Sequence, residues 1–294
     1  MEISSKKTAI LWAVLAAALY ALNSPVSKLL LDKISPTMMA AFLYLGAGIG
    51  LAIVRLVQRG MGKDQKEKPL TRKDLPYTIG MVVLDIAAPI FLMIGLTRTT
   101  AANASLLNNF EIVATSVIAL CIFKEAISKR LWAAIVLVTI SSIVLSVKDM
   151  SSFSFSFGSI FVLLACVCWG FENNCTRMIS NKDPLQIVVI KGFGSGIGSL
   201  VIALVLGEHI SNGGYIVCAL LLGFVAYGLS IFFYIYAQRY LGAAKTSAYY
   251  ALAPFIGVAL SLIIFREVPT VSFVIALLIM IAGTYLASTD TTDS

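Results

Sequence analysis

The chain divides into ten apolar runs, each about as long as the hydrocarbon core of a bilayer is thick, and that repetition constrains its fold more than any other feature. A membrane-spanning helix needs about 20 mainly apolar residues. The predicted spans are 8–31, 36–57, 75–96, 100–122, 130–147, 157–179, 184–206, 213–238, 243–265 and 270–287. A transmembrane barrel would instead show alternating strands of about 10 residues. The stretch Leu131 to Val147 is apolar without alternation, so the spans are helices. Composition agrees: 59% of the residues are hydrophobic and 13% charged, with a mean hydropathy of +0.92, whereas soluble chains carry about 25% charged residues. The fold class is an all-α membrane protein.

The net charge of +7 does not mark a nucleic-acid partner, because the basic residues cluster in short segments between apolar runs. They read as topology signals. A cytoplasmic N-terminus places Lys6, Lys7, most basic residues from Arg55 to Lys73, and Lys124, Lys129, Arg130, Arg177, Lys182, Arg239 and Lys245 on the inner side. Only Lys28, Lys33, Arg98, Lys148 and Arg266 fall outside, as the positive-inside rule requires. The expectation is a multi-pass plasma-membrane protein with both termini cytoplasmic. Lys6-Lys7 before an apolar run resembles the opening of a signal peptide, but 8–31 is too long for an h-region. The connector Gln58 to Asp74, with its KDQKEK run, is expected to be a flexible cytoplasmic loop. Cys121, Cys166, Cys168, Cys175 and Cys218 lie in apolar runs without metal-binding or disulfide spacing. They read as small hydrophobes, and neither a cofactor nor a metal is predicted.

The second half of the chain repeats the first. Ala101 to Ser128 aligns without a gap on Ala243 to Thr270, matching Ala101/Ala243, Ala102/Ala244, Ser105/Ser247, Phe123/Phe265, Lys124/Arg266 and Glu125/Glu267. Tyr20 to Lys28 matches Trp169 to Arg177 more weakly. Ser35-Pro36 and Asp183-Pro184 both read as a helix N-cap followed by N1 proline. The predicted units are 1–148 and 149–294, each with five spans. Five is odd, so the second copy crosses in the opposite sense and the repeat is inverted, an arrangement suited to alternating access.

At these residues the chain resembles the drug/metabolite transporter superfamily, in particular its ten-helix EamA-type members. Ala104-Ser105, Glu111 and Phe123-Lys124-Glu125 fit the family pattern in the first copy, with Ile112 where proline is common. The second copy has the proline, in Ala253-Pro254, but lacks the acid. The resemblance covers nearly the whole chain. It implies two five-helix EamA-like repeats, a central cavity lined by helices 1, 3, 4, 6, 8 and 9, and export of amino acids or other small metabolites.

Four ionisable residues lie inside the spans: Asp85, Glu111, Glu172 and Lys191. Each charge costs about 2.5 to 3.5 kcal/mol at midplane on insertion scales, which calls for pairing, protonation or a watery cavity. Counting along the helices sets Asp85 and Glu111 near mid-membrane, and Glu172 and Lys191 deeper on the cytoplasmic side. Glu172 and Lys191 stand on consecutive helices and are expected to pair, as a structural link or as one for which substrate competes. Asn108, Glu111 and Thr115 share one helical stripe predicted to face the cavity. Ser247, Tyr250 and Pro254 recur at similar spacing in the repeat partner, and Tyr227, Ser230 and Tyr234 mark a face of helix 8. Trp169 and Asn23 complete the candidate substrate or coupling set. Tyrosine packing or interface anchoring is the alternative.

Pro25, Pro89 and Pro254 are candidate gating kinks, since interior proline leaves the carbonyl four residues earlier without its usual donor. For Pro89 that carbonyl belongs to Asp85. Lys191 to Gly198 holds overlapping GxxxG spacings, read as helix packing rather than phosphate binding. His209 reads as an ordinary external-loop residue. With no P-loop and no HExxH or GxSxG motif, neither ATP-driven transport nor an enzyme is indicated. The expected partners are the lipid bilayer and a small-molecule substrate, with proton coupling and a homodimer left open. The expected activity is secondary export of small metabolites such as amino acids. The alternatives are proton-coupled export of organic cations and a facilitative pore.

Overall fold

The computed structural model describes residues 2–61, 67–124, 127–149, 154–179, 181–209, 212–241, 246 and 249–289. Within them nine helical segments are long and apolar enough to cross a membrane, and Ala253–Phe265 is a tenth, shorter apolar helix. The first span consists of α1 (Glu2–Ala21) and α2 (Asn23–Leu30), parted at Leu22. Pro25 has no N–H to give to the Ala21 carbonyl, so the ladder of α1 ends there. Next come α3 (Pro36–Gly60) and α4 (Leu75–Arg98). The fourth span is α5 (Ala101–Leu107) and α6 (Phe110–Phe123), and the fifth is α7 (Lys129–Ser146). A short ribbon of β1 (Val147–Asp149) and β2 (Ser154–Phe155) leads into α8 (Phe157–Met178) and α9 (Pro184–Val205).

The eighth span runs from α10 (Gly213–Gly223) through a π-helical turn, Phe224–Leu229, into α11 (Ser230–Leu241). Then follow α12 (Ala253–Phe265) and α13 (Val271–Ser288). Short connectors are possible because side chains satisfy the first N–H groups of each helix. Thr100, Ser128, Ser156, Asp183, Asn212 and Thr270 all accept such bonds.

Helix pairing crosses between the two halves of the chain. α4 packs on α8, α1 on α11, α6 on α8 and α1 on α12. Two further pairs join corresponding spans: α3 with α9, and α7 with α13. In the α3–α9 pair the backbones nearly touch. A Cβ added at Gly192 would lie 2.5 Å from the Gly48 Cα. The glycine run of α9 faces two neighbours: Gly192 and Gly196 abut α3, while Gly194 and Gly198 take Val82 and Ile86 of α4. This is the packing role that the GxxxG spacings predicted. Each end of α3 is also clamped to the second half. Glu208 Oε2 accepts from Ser35 Oγ at 2.6 Å and from the Met38 N–H at 2.8 Å, while Arg55 pairs with Asp183 at 2.7 Å.

Several sequence expectations change here. Gln58 to Gly60 belong to α3, and residues 68–74 are pinned rather than loose. The Lys68 carbonyl accepts from the Asp183 N–H at 2.8 Å, the Leu70 N–H donates to Gln186 Oε1 at 2.9 Å, and Asp74 pairs with Lys182 at 3.1 Å. Lys63 and Lys66, in the middle of that connector, lie outside the described residues, as do Glu125, Ala243, Ala244, Lys245 and Ser247. Pro254 occupies the first turn of α12, where a missing N–H costs nothing, directly after a turn at Ala251-Leu252 that interrupts the ninth span. Pro89 sits inside an α4 that continues unbroken from Leu75 to Arg98. Pro25 and Pro254 therefore both stand just beyond a break in their spans, and Pro89 does not. The mutual faces of α7 and α13 are occupied: Ser141 Oγ donates to the Ala276 carbonyl at 2.7 Å.

Candidate functional site

The centre of the bundle holds an ion cluster assembled by three helices. Lys191 of α9 places Nζ 3.1 Å from Asp85 Oδ2 of α4 and 2.9 Å from Glu172 Oε1 of α8. Tyr44 of α3 donates to Asp85 Oδ1 at 2.8 Å, and Thr176, one turn after Glu172, donates to Glu172 Oε1. Glu172 and Lys191 therefore pair as expected, but Asp85 joins them. Residue counting separated their depths because it ignored side-chain reach. α4 and α9 start at the same end of the bundle, where Asp74 meets Lys182. Asp85 lies about 15 Å into α4 and Lys191 about 10 Å into α9, at about 1.5 Å per residue. The long lysine side chain spans the difference. The three side chains sum to one negative charge, in a place where Asp85 is completely buried.

A line of tyrosines leads away from this cluster. Tyr44 and Tyr227 have ring centroids 5.1 Å apart, Tyr227 and Tyr20 6.0 Å, Tyr20 and Tyr250 5.8 Å, and Tyr250 and Tyr234 5.1 Å. Tyr227 stands on the π-helical turn, whose wider winding displaces the residues that follow and is a recurrent feature of functional sites. Its hydroxyl accepts from Asn23 Nδ2 at 3.0 Å, and Asn23 Oδ1 accepts from Ser27 Oγ at 3.1 Å. Asn23 begins α2, directly beyond the break at Leu22. Ser230 donates to the Ala16 carbonyl at 2.9 Å and lies 3.3 Å from the Tyr250 hydroxyl. Trp169, almost fully buried on α8, sits against the Tyr44 hydroxyl.

Glu111 occupies the neighbouring position, one residue into α6 beyond the Asn108-Asn109 break. The break has a local cause, since Asn109 Nδ2 donates to the Leu106 carbonyl at 3.1 Å in competition with the helix ladder. Asn109 Oδ1 accepts from Thr284 of α13 at 3.3 Å, which anchors the break. Glu111 Oε1 accepts from Asn173 Nδ2 at 2.6 Å, and the same amide reaches Thr115 Oγ1 at 3.2 Å. The polar stripe thus turns toward α8. Among the described residues no cation pairs with Glu111. It lies within electrostatic range of Glu172 and Lys191, and Tyr20, Tyr227 and Tyr250 lie within range of it. Asn108 stands apart, with Oδ1 buried and lacking a hydrogen-bond partner.

Sequence reasoning missed Tyr44, Tyr20, Asn173 and Thr176. Tyr44 carried a signal: tyrosine favours the membrane interface, yet this one stands near the middle of its span. Asn173 carried another, as one of two consecutive amides after Glu172 inside an apolar span. Among the described residues no cluster of three or more His, Cys, Asp or Glu side chains is arranged to hold a metal ion.

Comparison with known proteins agrees with this architecture. The profile of the EamA-like transporter family matches the chain twice, over residues 7–147 and 156–289. An uncharacterized transporter of Methanothermobacter thermautotrophicus is 25% identical over 289 residues, covering 93% of this chain and 84% of its own. The uncharacterized transporter YyaM of Bacillus subtilis is 20% identical over 272 residues, covering 90% and 88%. A solved structure described only as the crystal structure of a protein superposes with a TM-score of 0.67 at 13% identity, over 96% of each chain, and so shares the fold. Two matches to one profile, spread over nearly all of a chain of membrane-spanning helices, place it by descent as well as by shape, and the chain belongs to the EamA-like transporter family.

Proposed function

We propose that this protein is a secondary carrier that exports small amphipathic metabolites such as amino acids by alternating access. The observation that carries the reading is the pairing of a cation-free Glu111 with a partly reachable Lys191 across a tyrosine-lined centre. Among the described residues Glu111 has only a neutral hydrogen-bond partner, so it can receive a substrate ammonium. Lys191 has a third N–H beyond those aimed at Asp85 and Glu172, and its side chain is 13% exposed against 0% for Asp85, so it can meet a substrate carboxylate. Tyr20, Tyr227, Tyr250 and Trp169 supply apolar faces for the body of the substrate.

Alternating access is supported by the symmetry of the packing. Exchanging the first five spans with the last five maps the α4–α8 contact onto α11–α1 and the α6–α8 contact onto α12–α1. It also maps α3–α9 and α7–α13 onto themselves. Such exchange symmetry, with an odd number of spans in each half, supports an inverted repeat in which the halves can trade conformations.

The test is efflux of labelled amino acids from proteoliposomes. Saturable flux with counterflow is expected, lost in Glu111→Gln and weakened in Lys191→Met. Linear, non-saturating flux without counterflow would indicate a pore instead. A second reading, export of organic cations, is favoured by the excess of acids: Asp85, Glu111 and Glu172 against Lys191. Flux of cations lacking a carboxylate, abolished by Glu111→Gln and indifferent to Lys191→Met, would select it.

A further inference from the structure

The ion cluster is divided unevenly between the two segments matched by the family profile. Glu172 and Lys191 both belong to residues 156–289, on helices joined by a short loop. Asp85 belongs to residues 7–147. The Lys191–Asp85 contact is therefore the ion pair of the cluster that crosses between segments, and a motion that carries α4 away from α9 stretches it. Lys191 then has a carboxylate of its own segment to keep, since Glu172 stays beside it and is held by Thr176.

Asp85 has no such reserve. Around it stand Tyr44 from α3, Lys191 from α9, and Glu172 and Cys168 from α8, while Tyr227 lies beyond Tyr44. Lys28 of α2 is committed to the Leu96 and Thr99 carbonyls at the far end of α4. Lys191 is the only cation in that set. With it gone, a fully buried carboxylate keeps one tyrosine hydroxyl and faces the Glu172 charge, and burial penalises such a stranded ion more than any other group.

We infer that Asp85 is a proton-binding site, filled from water when the Lys191–Asp85 link opens and emptied when it closes. The balance is simple: Asp85 carboxylate plus one proton gives the neutral acid, and Lys191 stays charged against Glu172. By linkage the proton favours the arrangement that holds it more tightly, which is the open one. The inference rests on the alternating-access reading but requires no particular substrate.

The test uses the full chain in nanodiscs, with its native cysteines replaced and spin labels at Leu75→Cys and Met178→Cys, exposed positions at the same end of α4 and α8. Protons are the only ligand. Lowering the pH from about 8 to about 5 is expected to move the label distances toward a second, longer population. Asp85→Asn should show the longer population at every pH. Asp85→Glu should restore the pH response, and Asp32→Asn, at an exposed carboxylate outside the cluster, should keep it.

A distance distribution that ignores pH in the unmodified background would overturn the assignment. So would a pH response that survives Asp85→Asn, or one that disappears in Asp32→Asn. These outcomes are independent of the flux assay: absence of amino-acid efflux would sink the proposed substrate and leave the proton site standing, and an Asp85 that never responds would do the reverse.

Discussion

Lys124 and Arg266 end α6 and α12 in the same left-handed conformation, with φ of 59° and 52°, and among the described residues they are the only non-glycine residues with positive φ. They occupy equivalent places in the sequence repeat, in Phe-Lys-Glu and Phe-Arg-Glu. An L-residue pays about 1 to 2 kcal/mol for that conformation. Two copies that pay it at the same point have kept one helix ending.

A glycine at either position removes the Cβ penalty. Lys124→Gly and Arg266→Gly are expected to match or exceed the thermal stability of the parent in detergent. Lys124→Val, β-branched at positive φ, should melt lower by an amount equivalent to about 1 kcal/mol or more. Thermal unfolding followed by intrinsic fluorescence measures both. Equal melting for the Gly and Val variants would show that the turn relaxes freely.

Asn173 is the donor that Glu111 has in place of a cation. Asn173→Leu keeps the volume and removes the amide, leaving a partly buried carboxylate short of a hydrogen bond at a cost of about 1 kcal/mol. The expected result is a weaker apparent affinity for amino-substituted substrates, with a smaller effect on folding. Parallel flux and melting curves separate the two, and an unchanged flux would remove Asn173 from the site.

The α3–α9 crossing depends on two glycines meeting. Gly192→Val would force the helices apart or bury a clash, since the added Cβ alone falls 2.5 Å from Gly48. Overpacking of this kind costs about 1 to 3 kcal/mol. Gly60→Ala, where an added Cβ meets nothing within 4 Å, is the matched control and should be neutral. Detergent stability of the purified variants reads the difference.

Glu208 acts as a remote cap for α3, accepting from Ser35 and from the Met38 N–H. Glu208→Ala is expected to destabilise by about 0.5 to 2 kcal/mol, the range for losing an N-terminal cap. Glu208→Gln, which can still accept a hydrogen bond, should lose less. Chemical unfolding ranks the two variants, and an Ala variant as stable as Gln would show that the cap contributes through charge alone.

Much of the fold was legible because membrane helices announce themselves locally. The spans 130–147 and 157–179 agree with Lys129–Ser146 and Phe157–Met178 to within a residue. The glycines of α9 and the cap at Asp183 were readable from spacing alone. The loop after α3 was misread because its charges suggested disorder, while the bonds of residues 68–74 to Asp183, Gln186 and Lys182 are made to a partner more than a hundred residues away. Pro254 marks an interruption of its span, but the turn at Ala251-Leu252 and the helix start at Ala253 could not be placed within an unbroken apolar run.

By itself the sequence determined that the backbone is helical, how many times it can cross, and that it is built twice. These follow from the cost of exposing peptide groups to lipid and from the recurrence of motifs such as Phe-Lys-Glu and Phe-Arg-Glu. Only the tertiary structure decided that Lys191 serves Asp85 as well as Glu172, that Tyr44 closes the tyrosine line, and that Glu111 has an amide for a partner and no cation. Hydrophobic patterning fixes which residues leave water. Which buried charges meet depends on helix crossings and on side-chain reach of a few ångströms, and neither is written in any local stretch of the chain.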